Sequence, residues 1–271
     1  MSIENVLYSL NISELEDEAT YSYWYERMKD ERKKKIDAMK PRSGKLLSLG
    51  AGVLLEKAME EVGISDYEIA YGEREKPYIK GHEDVYFNLS HSKDMVVLAL
   101  SDKEIGVDTE RYQHFKDSLI NYVFDKGDIN LAKDISETMT YAQEEIIFDS
   151  MTNGSTKDIS KTMTVASETD ANEIQEITSS DKTNKKEAIT SLDKVYTMFW
   201  TMKESIMKHS GMGISLEPKK IRLFHGDGFF TAEAEKYDCS GLKLFSYEKG
   251  SYQITVCTGY DSFPDVTDVK L

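Results

Sequence analysis

The spacing of apolar residues divides the chain into a series of helices and strands. Apolar positions that recur every three or four residues predict helices over 21–40, 45–63, 114–124 and 192–210. Gly63 and the run Gly211-Met212-Gly213 provide stop signals for the second and fourth of these helices. Alternating apolar and polar positions predict strands over 85–87, 95–100, 105–110, 221–224, 229–234, 243–247 and 252–258. We interpret Ser90-His91-Ser92 as the turn that joins the first two strands.

Both halves of the chain combine helices with antiparallel-looking strands, which is typical of an α+β fold. We expect a boundary near residue 103, between an N-terminal half (1–103) and a C-terminal half (104–271). The segment from about 134 to 190 is rich in Ser, Thr, Asp and Glu, contains no proline and shows little apolar periodicity. Such a segment is expected to be a flexible insertion in the C-terminal half, with room for one transient helix.

Composition argues against several classes of protein. With 271 residues, 39% of them hydrophobic, the chain can bury one large core or two modest ones. Its formal charge of −15 argues against nucleic-acid binding, and no apolar run approaches the roughly 20 residues that cross a bilayer. Residues 1–19 show no secretory signal, and Cys239 and Cys257 lack metal-binding spacing. We therefore expect a cytoplasmic protein with reduced thiols and no membrane or nucleic-acid partner.

One stretch, residues 27–45, is locally basic despite the acidic total. An anionic ligand responds to the charges near it, because salt screens electrostatic interactions over about 8 Å. The net charge therefore does not exclude a phosphate-bearing substrate. For any single one of these lysines, a solvated helix face explains the charge better.

Asp108 and Glu110 are the first pair of candidate functional residues. Their i, i+2 spacing on a predicted strand places both carboxylates on one face, with Thr109 on the other. Neighbouring carboxylates repel unless a cation lies between them, and Mg²⁺ completed by phosphate oxygens meets that need. An ordinary exposed strand face is the alternative explanation of the same spacing.

The predicted helix over 192–210 supplies a second set of candidate functional residues. Glu204 and Lys208 have i, i+4 spacing, and Lys203 lies on a neighbouring face from which it could reach an anion. Glu204 has the chemistry of a third metal ligand or a general base, and Lys208 that of a neutralising partner for phosphate. The alternative is a simple helix ion pair, which stabilises a helix by about 0.2–0.5 kcal/mol.

His91 is the candidate phosphate donor in the N-terminal half, assisted by the hydroxyl of Ser90 or Ser92. A buried structural histidine remains the alternative. A serine-hydrolase reading fails, because adjacent residues on a turn cannot direct a hydroxyl and an imidazole at one another as a catalytic triad requires.

Four stretches in order carry a family resemblance: Lys76-Pro77-Tyr78-Ile79, Phe87-Asn88-Leu89-Ser90-His91-Ser92, Gly106-Val107-Asp108-Thr109-Glu110, and Phe199-Trp200-Thr201-Met202-Lys203-Glu204-Ser205 with Lys208 and Gly211-Met212-Gly213-Ile214. Together they resemble the signatures of the 4′-phosphopantetheinyl transferases, surfactin-type branch. The resemblance runs from about Tyr21 to Phe263, without the acidic segment. It implies two similar, pseudo-symmetric halves with coenzyme A bound in the cleft between them.

The resemblance also implies roles for individual residues. Asp108, Glu110 and Glu204 would hold Mg²⁺ against the pyrophosphate of coenzyme A, with Lys208 on the same pyrophosphate. The side chains expected to contact the nucleotide end or another anionic group are Lys76, Ser90, His91, Lys203 and the amino-terminal residues Arg32, Lys35 and Lys45. The sequence departs from the family at Glu75, where glycine is common, and at Leu47, where a basic residue is common.

The function that these expectations favour is Mg²⁺-dependent transfer of 4′-phosphopantetheine from coenzyme A to a serine of an acyl or peptidyl carrier protein, with release of adenosine 3′,5′-bisphosphate. Asp108, Glu204 and Lys208 are the expected catalytic residues, and the enzyme is expected to be a monomer. Two alternatives stay open at this point. One is a Mg²⁺-dependent nucleotide pyrophosphohydrolase, and the other is a degenerate relative that binds coenzyme A or carrier without turnover.

Docking of the acceptor is expected on the segment after Glu110. Phe115, Leu119 and Val123 would form an exposed apolar stripe there. A buried core face explains the same three positions equally well.

Overall fold

The structure is a computed structural model that describes residues 3–72, 74–153, 188–226 and 228–271, with residues 141–153 described by their backbone alone. The α-helices of the described residues are α1 (Glu18–Arg27), α2 (Asp30–Ala38), α3 (Arg42–Glu61), α4 (Asp117–Val123), α5 (Lys126–Asn153) and α6 (Ser191–Ser210). The strands are β1 (Val6–Asn11), β2 (Ile69–Tyr71), β3 (Pro77–Ile79), β4 (Tyr86–Ser92), β5 (Met95–Ser101), β6 (Ile105–Arg111), β7 (Ile221–Gly226), β8 (Phe229–Ala234), β9 (Lys243–Lys249), β10 (Tyr252–Thr258) and β11 (Thr267–Asp268). This mixture of helices and sheets confirms the predicted α+β class.

The strands form two main sheets and one hairpin. The first sheet has the order β11-β1-β5-β4, and the second has the order β6-β10-β9-β8-β7. Most neighbours are antiparallel, whereas β1 and β11 run parallel. Strands β2 and β3 pair with one another. The turn at Asp102 and Lys103 joins β5 of the first sheet to β6 of the second.

Three clusters of buried apolar side chains form the core. One lies between α3 and the first sheet, and another between α6 and the second sheet. The third joins the two sheets, since alternate residues of β5 such as Val97 pack with Val107 of β6 and Ile254 of β10. The remaining alternate residues of β5, including Leu98, face α3. Strand β5 is therefore buried on both faces, which suits its almost continuous apolar sequence.

The helix predicted over 21–40 is in fact two helices. Met28 and Lys29 between α1 and α2 have extended backbone angles. This break lets Met28 turn inward, where it is buried. A Cβ atom on Gly52 of α3 would lie 2.4 Å from the Met28 sulfur, so the close contact depends on glycine at position 52.

The turn predicted at Ser90-His91-Ser92 is wrong, because these residues belong to β4. The chain reverses instead at Lys93, whose φ of +54° lies in the left-handed region, and Asp94. Asn88, Ser90 and Ser92 alternate along β4 and are buried. Polar character at these positions therefore marks a contact with another strand rather than a solvent-exposed turn.

The acidic segment predicted from 134 to 190 begins inside α5, because that helix continues to Asn153. The part of the segment from 154 to 187 lies outside the described residues. Thr190 already belongs to the start of α6, where it is the N-cap residue. Within the described residues, no helix is both long and apolar enough to cross a bilayer.

Candidate functional site

Helix α6 packs against β6 at unusually close range, and this contact positions the site. A Cβ atom on Gly106 would lie 2.0 Å from the carbonyl oxygen of Ser205 and 2.5 Å from the backbone nitrogen of His209. Any larger residue at position 106 would have to displace the helix backbone. Glycine therefore allows the turn of α6 that carries Glu204 and Lys208 to approach Asp108, two residues further along β6.

The two ends of α6 are fixed by local structure. At the N-terminus, the Thr190 hydroxyl accepts a hydrogen bond from the backbone of Asp193 while the Asp193 side chain bonds back to Thr190, which forms a capping box. The ring of His114 also contacts the Asp193 carboxylate, with 2.9 Å between Nδ1 and Oδ2. At the C-terminus, Gly211 adopts a φ of +65°.

Strands β4 and β6 are joined by side chains of β4, a contact that we call the polar seam (Asn88, Ser90 and Ser92). The Asn88 side-chain oxygen accepts the backbone N–H of Val107 at 3.0 Å. The Ser90 and Ser92 hydroxyls accept the N–H groups two and four residues further along β6, at 3.4 and 3.3 Å. Side chains thus take the place of a backbone ladder between the edges of the two sheets.

The polar seam also orients two carboxylates. The hydroxyl of Ser90 donates to Asp108 Oδ1 at 2.8 Å, and that of Ser92 donates to Glu110 Oε2 at 2.7 Å. Both acids therefore lie on the face of β6 that meets β4, as their spacing predicts. Thr109 is directed elsewhere, since its hydroxyl donates to the backbone carbonyl of Gln253 at 3.1 Å.

Lys208 enters this group from α6. Its ammonium donates to Asp108 Oδ1 at 2.6 Å and to the Ser90 hydroxyl at 2.7 Å. The other carboxylate oxygen, Asp108 Oδ2, is buried and has no hydrogen-bond partner among the described residues. A buried charged oxygen without a partner is costly. It is the kind of atom that a bound cation or an additional donor would satisfy.

Glu204 completes what we call the carboxylate cluster (Asp108, Glu110 and Glu204). Burial raises the pKa of Glu204 to about 7, and the charges of Asp108 and Glu110 act in the same direction while Lys208 opposes them. Burial and Asp108 likewise raise the pKa of Glu110, against hydrogen bonds from Ser92 and Trp200. A carboxyl group with a pKa near neutrality can both accept and release a proton under physiological conditions.

The donors of the carboxylate cluster suit a hard divalent cation such as Mg²⁺. They are oxygen atoms, and one of them, Asp108 Oδ2, is buried and unpartnered. In the described part of the chain, no three His, Cys, Asp or Glu side chains are grouped so that they could hold a metal ion by themselves. Mg²⁺ usually takes one or two protein carboxylates together with substrate phosphates and water. An incomplete set of protein ligands is therefore compatible with Mg²⁺, and the shared site stays a prediction.

Two of the predicted amino-terminal residues line a cavity. The cavity, of about 250 Å³, is formed by α2, α3 and β2, with Arg32, Lys35, Tyr67 and Tyr71 among its lining residues. Burial lowers the pKa of Arg32, and the ammonium of Lys35 donates to the Tyr71 hydroxyl. Lys45, in the first turn of α3, is half-buried and is not among the residues around this cavity.

Lys76 and His91 lie at the edges of the site. The Lys76 ammonium forms an ion pair with Glu104 and donates to the backbone carbonyls of Ile105 and His209, at 3.2 and 2.8 Å. It therefore joins the hairpin of β2 and β3 to the C-terminus of α6. His91 is exposed on β4, and partial burial of its ring together with the charge of Lys208 lowers its pKa.

Two predicted binding residues need correction. Lys203 is completely buried, and its ammonium contacts Asp128 Oδ2 at 2.5 Å and the backbone carbonyls of Val123, Pro218 and Ile221. No donor is left for an external anion, so Lys203 is structural. Ser90 is also buried, and its hydroxyl is fully used within the polar seam and by Lys208.

Sequence reasoning missed the polar seam as a unit and the buried partner of Lys203. Asn88 was not singled out for any role, although alternation of polar residues at 88, 90 and 92 was a signal for a strand face. Asp128 carried no local signal, because its partner Lys203 lies 75 residues away in the sequence.

Known proteins similar to this chain are 4′-phosphopantetheinyl transferases, whereas no model of a known protein family matches it. The 4′-phosphopantetheinyl transferase Sfp of Bacillus subtilis (strain 168) is 24% identical over 212 residues, which cover 76% of this chain and 70% of Sfp. A second 4′-phosphopantetheinyl transferase of Bacillus subtilis is 24% identical over 82% of this chain and 77% of its own length. The 4′-phosphopantetheinyl transferase AcpT of Salmonella typhi is 40% identical over a shorter stretch, 30% of this chain and 41% of AcpT.

These similarities agree with the order of motifs found in the sequence. The similarity to each of the two Bacillus proteins covers most of this chain. These similarities confirm the resemblance and the enzyme class that the motifs predict: the chain is similar to the 4′-phosphopantetheinyl transferases, Sfp among them.

Proposed function

We propose that this protein transfers the 4′-phosphopantetheine group of coenzyme A to a serine hydroxyl of a carrier protein. The serine oxygen forms a bond to the phosphorus that carries the pantetheine arm. The pyrophosphate bond on the other side of that phosphorus breaks, and adenosine 3′,5′-bisphosphate leaves. The observation that carries the proposal is the meeting of the carboxylate cluster and Lys208 where β4, β6 and α6 converge.

Asp108, Glu110 and Glu204 are the residues proposed to hold Mg²⁺. When bound there, the ion supplies Lewis-acid stabilisation of negative charge on the pyrophosphate oxygens. Asp108 is well suited to the role, because its Oδ1 is already held by Ser90 while its Oδ2 has no partner among the described residues. Ser92 fixes Glu110 in a similar way.

Glu204 is proposed to accept the proton of the carrier serine. A base works best when its pKa lies near the working pH, and burial brings the pKa of Glu204 to about 7. General base catalysis of this kind contributes roughly a hundred- to ten-thousand-fold to the rate. Lys208, one helical turn further on, offers positive charge to the pyrophosphate as the bond to the leaving group breaks.

The nucleotide end of coenzyme A is proposed to lie along the N-terminal half. Arg32 and Lys35 present cations in the cavity beside α2, while Lys45, Lys76 and His91 offer further positive or hydrogen-bonding groups. Lys76 would have to exchange its contact with Glu104 for a phosphate oxygen. Such an exchange is accessible, because the Lys76 side chain is partly exposed.

Acceptor docking is proposed on α4, where Leu119 is exposed as expected, but Phe115 and Val123 are not available for it. Phe115 packs on Phe124 and Tyr196, and Val123 is fully buried, so these two belong to the core. Leu119 and Tyr122 are the exposed apolar residues of α4. They are therefore the better candidates for contact with a carrier protein.

The proposal is tested by incubating the protein with coenzyme A, Mg²⁺ and a panel of carrier proteins, followed by mass spectrometry of the carriers. We expect the wild-type protein to add one phosphopantetheine group to its carrier. Asp108→Ala and Glu204→Ala should reduce the rate at least about a hundredfold, since each removes a metal ligand or the base. Asp261→Ala is the matched control, because Asp261 is an exposed acid outside the site.

Product formation at the wild-type rate by both site variants would contradict the assignment. Steady hydrolysis of coenzyme A without any carrier would favour a pyrophosphohydrolase instead. Omission of Mg²⁺ in the presence of a chelator should abolish the transfer by the wild-type protein.

A further inference from the structure

We propose that Lys208 is the resident counter-cation of the carboxylate cluster and that a divalent metal ion must displace its ammonium from Asp108 in order to bind. This inference rests on the proposed function, because it concerns the same metal site. It gives Lys208 a role before coenzyme A arrives, in addition to the phosphate contact that the family resemblance implies. The metal and the lysine are then competitors when no substrate is present.

The contacts of Lys208 are those of a bound cation. Its ammonium lies 2.6 Å from Asp108 Oδ1 and 2.7 Å from the Ser90 hydroxyl, so it holds both the carboxylate and the residue that orients it. The Asp108 side chain is only 5% exposed, which makes a compensating positive charge necessary. Lys208 itself is 28% exposed, so its flexible chain has a path back to solvent.

The charge of the carboxylate cluster exceeds what one ammonium can neutralise. Three carboxylates face a single lysine, since the charge of Lys208 acts on Glu110 and Glu204 as well as on its partner Asp108, and Asp108 Oδ2 is buried without a partner among the described residues. A divalent cation would neutralise more of this charge. A divalent cation on the unpartnered Asp108 Oδ2 would lie close to the ammonium on Oδ1 of the same carboxylate, and the two positive charges would repel.

Displacement of the Lys208 ammonium would also help the protein bind the pyrophosphate. An ammonium released from Asp108 stays tethered to the last turns of α6 and remains near the metal. A phosphate group that binds the metal would then contact an ammonium that is no longer paired with Asp108. The structure thereby supports an order in which metal binding prepares Lys208 for the pyrophosphate.

The decisive measurement is isothermal titration calorimetry with Mg²⁺ alone, in the absence of coenzyme A and carrier. Lys208→Gln removes the competing charge, and we expect it to bind Mg²⁺ about tenfold more tightly than the wild-type protein. Lys208→Arg keeps the charge and should not gain affinity. Lys194→Gln is the matched control, because Lys194 lies on the same helix and its ion-pair partner, Glu248 at 2.8 Å, is not a member of the cluster.

A second measurement uses the wild-type protein and does not depend on the folding of a variant. Lysines are labelled by reductive methylation with and without Mg²⁺, and each site is quantified by peptide mass spectrometry. The ion pair with Asp108 protects Lys208, so Mg²⁺ should increase its labelling several-fold while Lys194 stays unchanged. Unchanged labelling of Lys208 at saturating Mg²⁺ would overturn the inference.

The outcomes separate this inference from the proposed function. Equal or weaker Mg²⁺ binding by Lys208→Gln overturns the counter-cation role alone, as does an equal gain in Lys194→Gln. Absence of saturable Mg²⁺ binding by the wild-type protein and by Lys208→Gln overturns both the inference and the proposed metal site. Tighter binding confined to Lys208→Gln supports the inference.

Discussion

Lys203 and Lys208 illustrate how position on a helix decides what a residue does. Both are lysines of α6, and their chemistry alone suits both to bind an anion. Five residues along a helix correspond to a rotation of about 140°, so the two side chains point to different surroundings. Lys203 is buried against Asp128 and three carbonyls, whereas Lys208 reaches the carboxylate cluster. Residue type alone could not separate a structural lysine from a functional one.

Glu75 is a second residue whose position matters, because its backbone favours glycine, the residue that the family resemblance leads us to expect there. It adopts a φ of +58°, in the left-handed region that favours glycine. The family commonly has glycine at this position, which agrees with the backbone seen here. We infer that Glu75 carries local strain beside Lys76, and that its carboxylate is not needed for the fold because it is exposed.

This strain leads to a prediction at the residue scale. Glu75→Gly should stabilise the protein by about 0.5–1 kcal/mol, because relief of the left-handed strain outweighs the entropy that glycine loses on folding. Urea unfolding followed by circular dichroism measures the change. Arg74→Gly is the control: Arg74 is exposed and its φ is not in the left-handed region, so the same entropy loss should make that variant less stable. Destabilisation by both substitutions would show that Glu75 is not strained.

At the scale of elements, the contact between α6 and β6 places functional groups of one element against those of another. Glu204 and Lys208 come from the helix, and Asp108 and Glu110 come from the strand. Gly106 permits the approach, since a Cβ atom there would overlap the helix backbone rather than a movable side chain. The distance between these two elements therefore determines whether the carboxylate cluster forms at all.

Gly106→Ala should consequently separate α6 from β6 and damage the site. We expect a loss of stability of about 3 kcal/mol or more, because backbone atoms have to move, together with a loss of carrier modification. Gly226→Ala provides the comparison, as a Cβ atom at Gly226 meets nothing within 4 Å. Chemical unfolding and the carrier assay measure both effects. A Gly106→Ala protein with normal stability and activity would contradict the proposed role of close packing.

Elements with strong periodicity could be predicted from the sequence, and those determined by distant contacts could not. The helix predicted over 192–210 and strands β5 to β10 agree with the structure because their apolar patterns are long and regular. The break at Met28 depends on packing against Gly52, 24 residues away, and no local signal marks it. The turn predicted at Ser90-His91-Ser92 is wrong because the hydroxyls of this polar stretch bond to β6, and the local sequence does not identify that partner.

At the scale of the whole molecule, the site lies where the two main sheets meet. Apolar residues of β5, β6 and β10 join the sheets on one side, and the polar seam joins them beside the carboxylate cluster. Lys76 adds a third link, from the hairpin of β2 and β3 to the end of α6. The acidic residues alone suggested the metal chemistry. The contacts that orient them come from β4, and the sequence does not reveal that β4 lies beside β6.

The energetic cost of burying Glu204 beside two other carboxylates should appear in the stability of the whole molecule. The pKa of Glu204 is raised from its ordinary 4.5 to about 7, so the folded protein retains a proton there that the unfolded chain releases. The stability associated with this proton is complete below about pH 4.5 and is lost as the pH rises through about 7. Without divalent ions, the wild-type protein should therefore lose roughly 1–3 kcal/mol between these limits.

Glu204→Gln isolates this contribution, because glutamine occupies the same space and never ionises. In the presence of a chelator, we expect urea unfolding to give similar stabilities for the two proteins near about pH 5 and a more stable Glu204→Gln near about pH 8. Mg²⁺ should restore the stability of the wild-type protein at the higher pH, because it neutralises the ionised cluster. It should increase the stability of Glu204→Gln by a smaller amount. Parallel pH profiles for the two proteins would mean that Glu204 is ionised without cost, and its burial beside Asp108 and Glu110, on which the proposed site depends, would then be wrong.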